Sequence, residues 1–308
     1  LGRNPEWGFG DPAAPGPARL VLRPHGGEER NAWYENHGTY GALCFGYYAA
    51  ADAPSDRTLP RGIVFTCLSH DIVAHEVTHA LLDGLRPKLA EPSGADVVAF
   101  HEAFADVVAL LQHFTMPALL AHQIGQARGD LRGETLLGQM AVEFGLAGGR
   151  RGALRNAIGR VDAATGQWQA LAADPHALDR VHEPHDRGAI LVAAVFDAFL
   201  TIYGYRTEDL LRIASGGTGV LPDGALHPDL VGRLAQEAAR SARHLLRMCI
   251  RALDYCPPVD LDFGDYLRAL ITADLQLMPE DRYRYRVAVV EAFRRRGIYP
   301  QGLQSLSV

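Results

Sequence analysis

The pattern His75-Glu76-x-x-His79 constrains this chain more than any other stretch of it. On an α-helix, residues four apart stand one above the other, so two imidazoles meet at one point while Glu76 is rotated by roughly 100° along the rim. That arrangement is a two-point clamp for a zinc ion with a base beside it. The helix is indicated independently of the motif: Ile72, Val73, Val77, Ala80 and Leu81 recur at helical spacing and are expected to bury the face away from the histidines. Ser69 suits an N-cap, Asp71 puts negative charge in the first turn, and Gly84 followed by Pro87 is expected to stop the helix. The alternative is two surface histidines and a glutamate, which would give this pattern in roughly one chain in fifty of such composition.

A second stretch raises the motif above chance. Residues 96–111 are apolar nearly all round, and Ser93 with Asp96 three residues on reads as a capping box. Into that apolar surface the chain sets Glu102 and Asp106, four apart and therefore on one face. A buried carboxylate is costly unless it meets a cation or a donor. Glu102 as a third metal ligand and Asp106 as the acceptor that orients a ligand histidine satisfy both.

Residues 71–83, taken with His101-Glu102-Ala103-Phe104-Ala105-Asp106, resemble the thermolysin family of zinc metallopeptidases, which pairs His-Glu-x-x-His with the glutamate of a Glu-x-x-x-Asp helix. Here 22 residues separate His79 from Glu102, a few more than is usual in that family, which the loop through Pro87 and Pro92 can absorb. The resemblance implies an α+β fold with a small β-rich N-terminal part, residues 1–84, ending in the metal helix at the floor of a cleft. A mainly helical C-terminal part, residues 85–308, would carry the third ligand. It further implies one zinc per chain on His75, His79 and Glu102, a peptide or protein substrate, and hydrolysis with Glu76 as general base.

Other site residues follow from the resemblance one by one. Asn31-Ala32-Trp33-Tyr34, by composition an ordinary edge strand, is similar to the strand on which the family binds extended peptide, through the Asn side chain and the Ala carbonyl. Leu154-Arg155-Asn156 resembles the place where the family has an arginine for the substrate carbonyl, a solvated arginine being the alternative. The family sets an oxyanion-facing histidine shortly before a helix glycine, and both His182 and His185 precede Gly188. His185 is preferred, because it follows Pro184 and stands at the turn entering the apolar helix of residues 189–203, with Glu183 or Asp186 to orient it.

Two departures limit the likeness. Residues 84–95 hold no tyrosine where the family has an oxyanion-stabilising one, and residues 107–122 hold no Asp or Glu where it draws calcium ligands, so calcium is not expected. The rival reading is a zinc-binding but non-proteolytic module of a larger protein that presents its cleft to a partner. Glu76 speaks against it, since a purely structural site closes its fourth position. An aminopeptidase branch is weaker still, as no Gly-x-Met-Glu-Asn segment is present.

Elsewhere, strands are predicted over residues 18–23, 31–36, 40–48 and 63–66, and helices over 117–127, 134–147, 230–254, 263–277 and 282–296, with 162–180 irregular. A net charge of −6 argues against a nucleic-acid partner. The longest apolar run is broken by Asp197 and too short to span a bilayer, so no membrane span is expected. Because the first residue is Leu, a pro-segment or further domains are expected to have preceded it. Cys44, Cys67, Cys249 and Cys256 show no Cys-x-x-Cys spacing and are expected to be buried thiols, a Cys249–Cys256 bridge being the alternative.

Overall fold

A computed structural model describes residues 6–10, 17–51, 61–133, 135–140, 155–157, 159–162, 165 and 168–302. The fold is mixed α+β, 56% helical, with a small N-terminal sheet and a mostly helical remainder. The sheet is formed by β1 (Arg19–Gly27), β2 (Ala32–Asn36), β3 (Tyr40–Ala49) and β4 (Ile63–Phe65). β3 is central: β1 runs parallel to it, β2 antiparallel along its other side, and β4 pairs with its final residues. β2 is therefore an edge strand, as its composition predicts.

Alternation along these strands sets the packing. Ala32, Tyr34, Leu43 and Phe45 fall on one face and meet Ile72, Val73, Val77 and Ala80 of α1 (His70–Leu85), forming a small core between sheet and helix. Tyr34 Oη donates to Asp83 at 2.7 Å and Asn36 Nδ2 donates to the same carboxylate at 2.6 Å, tying β2 to the last turn of α1. Leu81, expected on this face, is 37% exposed, and the neighbouring Leu82 is buried in the main core instead. α1 is gripped from two sides, by the sheet and by the next helix, so its apolar surface is wider than one stripe.

That next helix is α2 (Ala95–Gln112), followed by α3 (Pro117–Gln126), α4 (Pro184–Ala214), α5 (Pro228–Ala252), α6 (Phe263–Leu277) and α7 (Tyr285–Arg294). Together they enclose the large core, where Phe100, Phe199, Phe263, Tyr266 and Phe293 are fully buried. Each such side chain contributes about 1.5–3 kcal/mol through the area it removes from water. Cys44, Cys249 and Cys256 are buried free thiols; Cys67, by contrast, is partly exposed, and no bridge joins Cys249 to Cys256.

Several expectations are corrected. The helix predicted over 134–147 is a 3-10 turn at Leu136–Gly138 and a short strand, β5 (Gln139–Met140), which pairs with β6 (Arg155–Asn156); the remainder of that stretch lies outside the described residues. Gln123 Oε1 accepts from Leu136 N at 2.9 Å, and Ala157 N donates to Gly138 O at 2.9 Å, so the backbone groups a helix would need are taken by other segments. The stretch predicted as irregular holds strand β8 (Trp168–Ala170), paired with β7 (Gly159–Val161), and a 3-10 turn at Ala177–Asp179. α4 begins at residue 184 and runs to 214, well beyond the apolar run. By length and composition alone, Ala95–Thr115 and Pro184–Ala214 could each cross a membrane, and both are mostly buried against the rest of the chain.

Candidate metal centre

The centre is built from three helices. α1 supplies His75, Glu76 and His79, all buried. Ser69 is the N-cap of α1 but makes no side-chain cap bond, and Gly84 does not end the helix, which continues to Leu85. Gly84 serves packing instead: a Cβ there would strike the carbonyl of Glu6 in the N-terminal segment.

α2 carries Glu102 and Asp106 on the face that meets α1. The predicted capping box does not form, since Gly94 is the N-cap and Asp96 is engaged elsewhere. Its Oδ1 accepts from Arg187 Nε at 2.5 Å and its Oδ2 from Phe263 N at 3.1 Å, so this carboxylate joins the starts of α4 and α6 to the start of α2. Tertiary partners with full charge outcompete a local cap.

The ligand atoms converge. His75 Nε2 and His79 Nε2 are 2.9 Å apart, His75 Nε2 is 3.3 Å from Glu102 Oε2, and His79 Nε2 is 3.7 Å from Glu102 Oε1. A tetrahedral ion with bonds of about 2.1 Å holds its ligand atoms about 3.4 Å apart. The set of two nitrogens and one oxygen, all within 4.8 Å of one another, can therefore hold a metal ion. Asp106 Oδ1 accepts from His75 Nδ1 at 2.7 Å, the outer partner that fixes which nitrogen faces the ion.

His79 has an equivalent partner that sequence reasoning does not single out. Its Nδ1 lies 2.7 Å from Nδ1 of His101, with the two rings stacked at 4.7 Å. One of these nitrogens must donate and the other accept. If His79 keeps Nε2 free for a metal, its proton sits on Nδ1, and His101 must then carry its own proton on Nε2, a buried atom with no hydrogen-bond partner among the described residues. The only sequence signal is position: a histidine immediately before Glu102 on a helix facing α1.

Charges in the cluster are strongly coupled. Burial works against a charged His75, yet hydrogen bonds to Asp106 and Glu102 and the nearby Glu76 outweigh it and push its pKa up to about 9. His79 is driven the other way, down to about 3, by burial and by the neighbouring His75 and His101. Glu102 is buried, but hydrogen bonds from His185 and His75 hold it well below the usual carboxylate range. The metal-free cluster thus holds a doubly protonated His75, a neutral His79 and an ionised Glu102.

The start of α4 closes the site. Glu183, its N-cap, accepts from Asp186 N at 2.8 Å, and its other oxygen lies 2.9 Å from His185 Nδ1. Arg187 donates to Asp96 and to the carbonyls of Leu178 and Val181 at 2.6 and 2.8 Å, pinning the preceding loop to α2. A Cβ on Gly188 would come within 2.8 Å of Ala99 O, so glycine lets α4 approach α2 at this point. His185 Nε2 then reaches to 3.2 Å from Glu102 Oε2. His182 is exposed, with no hydrogen bond or ion pair to the cluster among the described residues. Of the two candidate orienting acids, Glu183 touches His185.

β2 is fastened to α1 through Asp83, one helical turn beyond His79. Asn31 O accepts from Gly46 N at 2.9 Å, which makes Asn31–Gly46 a hydrogen-bonded pair and, one residue on, Ala32–Phe45 a non-hydrogen-bonded one. Ala32 and Tyr34 therefore turn their N–H and C=O groups away from β3 toward the open edge. Asn31 is exposed at the start of this edge. Arg155 has its backbone in β6, while its side chain lies outside the described residues. No protein-family model matches the chain, and no curated protein matches its sequence.

Proposed function

We propose that this protein is a thermolysin-like zinc endopeptidase. The observation that carries the reading is the convergence of His75, His79 and Glu102 from two helices, with the buried Glu76 next to His75 in sequence and near enough to act on its charge. Two imidazoles and one carboxylate with an open position are the donor set of a catalytic zinc, whereas a structural zinc closes its fourth position. Zinc, when bound, would polarise the scissile carbonyl and lower the pKa of an attacking water. Glu76 takes the proton of that water and later gives it to the leaving amine. His185, held through Nδ1 by Glu183, offers Nε2–H to the developing oxyanion. The outward backbone groups of Ala32 and Tyr34 supply the edge to which an extended peptide adds as a strand, with Asn31 at its end.

The test is Glu76→Gln, which removes the base and spares the ligands. Wild type should cleave an unstructured protein such as casein, and the variant should keep one zinc per chain while losing cleavage. Elemental analysis of Glu102→Ala tests the ligand set in parallel: undiminished zinc would remove Glu102 from it. If zinc-loaded wild type cleaves neither casein nor a peptide library, the non-proteolytic module is the better reading.

A further inference from the structure

A cavity of about 280 Å³ lies between α5, the end of α6 and the segment leading into α7, and shares no residue with the metal centre. α5 sets Arg240, Arg243 and Arg247 along it, three and then four residues apart, so that the guanidiniums stand on one stripe. Like charges at this spacing weaken a helix, so the stripe does not serve α5 itself. It also runs against the charge of a chain whose net is −6.

The acids nearby are already occupied. Glu237 accepts from Arg206 Nε at 2.8 Å and from Arg240 at 2.7 Å. Asp274, on the cavity floor, is held by His244 at 2.7 Å and Arg286 at 3.0 Å. Asp281 turns into the first turn of α7, accepting from Tyr285 N at 2.6 Å and Arg286 N at 2.9 Å. Glu280 is the remaining acid of the lining, and it is exposed. Arg243 and Arg247 have no ion pair or hydrogen bond to any described residue, and Arg282, on the opposite wall, has only the ring of Tyr283 beside it at 5.5 Å. Counting Arg206, Arg240, Arg243, Arg247, Arg282 and Arg286 against Glu237, Asp274, Glu280 and Asp281 leaves two positive charges in excess. The walls between are flat and aromatic: Arg206 lies 4.1 Å over Tyr283, and His244 meets Tyr285 edge-on at 4.3 Å.

We propose that this cavity binds a small organic phosphate, with Arg243, Arg247 and Arg282 taking the phosphoryl oxygens and the tyrosine walls taking the organic body. Guanidinium forks match phosphate oxygens in pairs, and an ammonium does not. A volume at the lower end of the small-molecule range, about 300 Å³, suits a phosphomonoester. The inference does not depend on the peptidase reading.

Isothermal titration of the full chain with inorganic phosphate and with phenyl phosphate, against sodium chloride at matched ionic strength, tests it. Both phosphates should bind saturably and chloride should not, with phenyl phosphate the tighter of the two. Arg243→Gln/Arg247→Gln should weaken both at least about tenfold at an unchanged ligand-free Tm, since exposed arginines without partners contribute little to folding. Should that double variant fail to fold, Arg282→Gln on the other wall serves in its place, with the same loss expected. Equal response to chloride, or undiminished binding in a folded variant, overturns the proposal; equal affinity for the two phosphates overturns its organic part.

Discussion

At the scale of the residue, the cluster is a chain of hydrogen bonds running through imidazoles. Asp106 accepts from His75 Nδ1, His101 Nδ1 lies 2.7 Å from His79 Nδ1, and the two Nε2 atoms face each other at 2.9 Å. In the metal-free protein the proton between them belongs to His75, whose pKa is about 9 against about 3 for His79. A zinc ion must displace that proton. The sign follows directly: His75 stays protonated below about pH 9, so apparent zinc affinity should rise about tenfold per pH unit up to that point and then level off. Calorimetry at pH 7.5 in buffers of different ionisation enthalpy should count close to one proton released per zinc, and a count near zero would refute the arrangement. His101→Leu removes the acceptor for His79 Nδ1 and should lower zinc affinity by about 10–100-fold. His101→Asn offers a carbonyl oxygen in place of the imidazole and should retain most of it, which a competitive chelator titration would measure.

At the scale of the element, α4 decides the geometry. Its first turn is fixed three ways, by the Glu183 cap, by Arg187 on Asp96, and by the glycine contact with Ala99. His185→Ala should lower kcat/KM by about 10²-fold or more and leave Tm and zinc content nearly unchanged, the size of one lost oxyanion donor. The same loss from His182→Ala, with His185→Ala silent, would reverse the assignment. Gly188→Val acts on the whole turn instead. Forcing a branched side chain against Ala99 O should cost about 1–3 kcal/mol of stability, seen as a lower Tm. It should also depress kcat/KM more than zinc content, because it pushes His185 from Glu102 and leaves α1 in place.

At the scale of the molecule, a small sheet-on-helix core and a large helical core meet along α1, and the three residues that could hold a metal ion lie between α1 and α2. Stability should therefore respond to an ion held there. Residues 107–122 hold no Asp or Glu, so thermal melts with and without excess calcium should agree, while zinc should raise Tm. A rise of several degrees with calcium alone would reveal a second site.

Local geometry made much of this readable in advance. Which residues share a helix face depends only on spacing along one helix, so the pairing of His75 with His79 and of Glu102 with Asp106 needed no knowledge of the rest of the chain. The edge character of β2 and the bounds of α6 were legible for the same reason. Other features depended on segments far apart in sequence. Asp96 left its local cap for Arg187 and Phe263, Leu82 rather than Leu81 met the main core, and residues 136–140 gave up helix for pairing with residues 155–157. His101 gained a role only because α2 approaches α1 closely enough for a 2.7 Å contact. Sequence position, after Pro184 and at the turn entering the helix, favoured His185 over His182, but its reach to Glu102 follows from how near two backbones can come at Gly188, a distance set by packing across α2 and α4 and not by either helix alone.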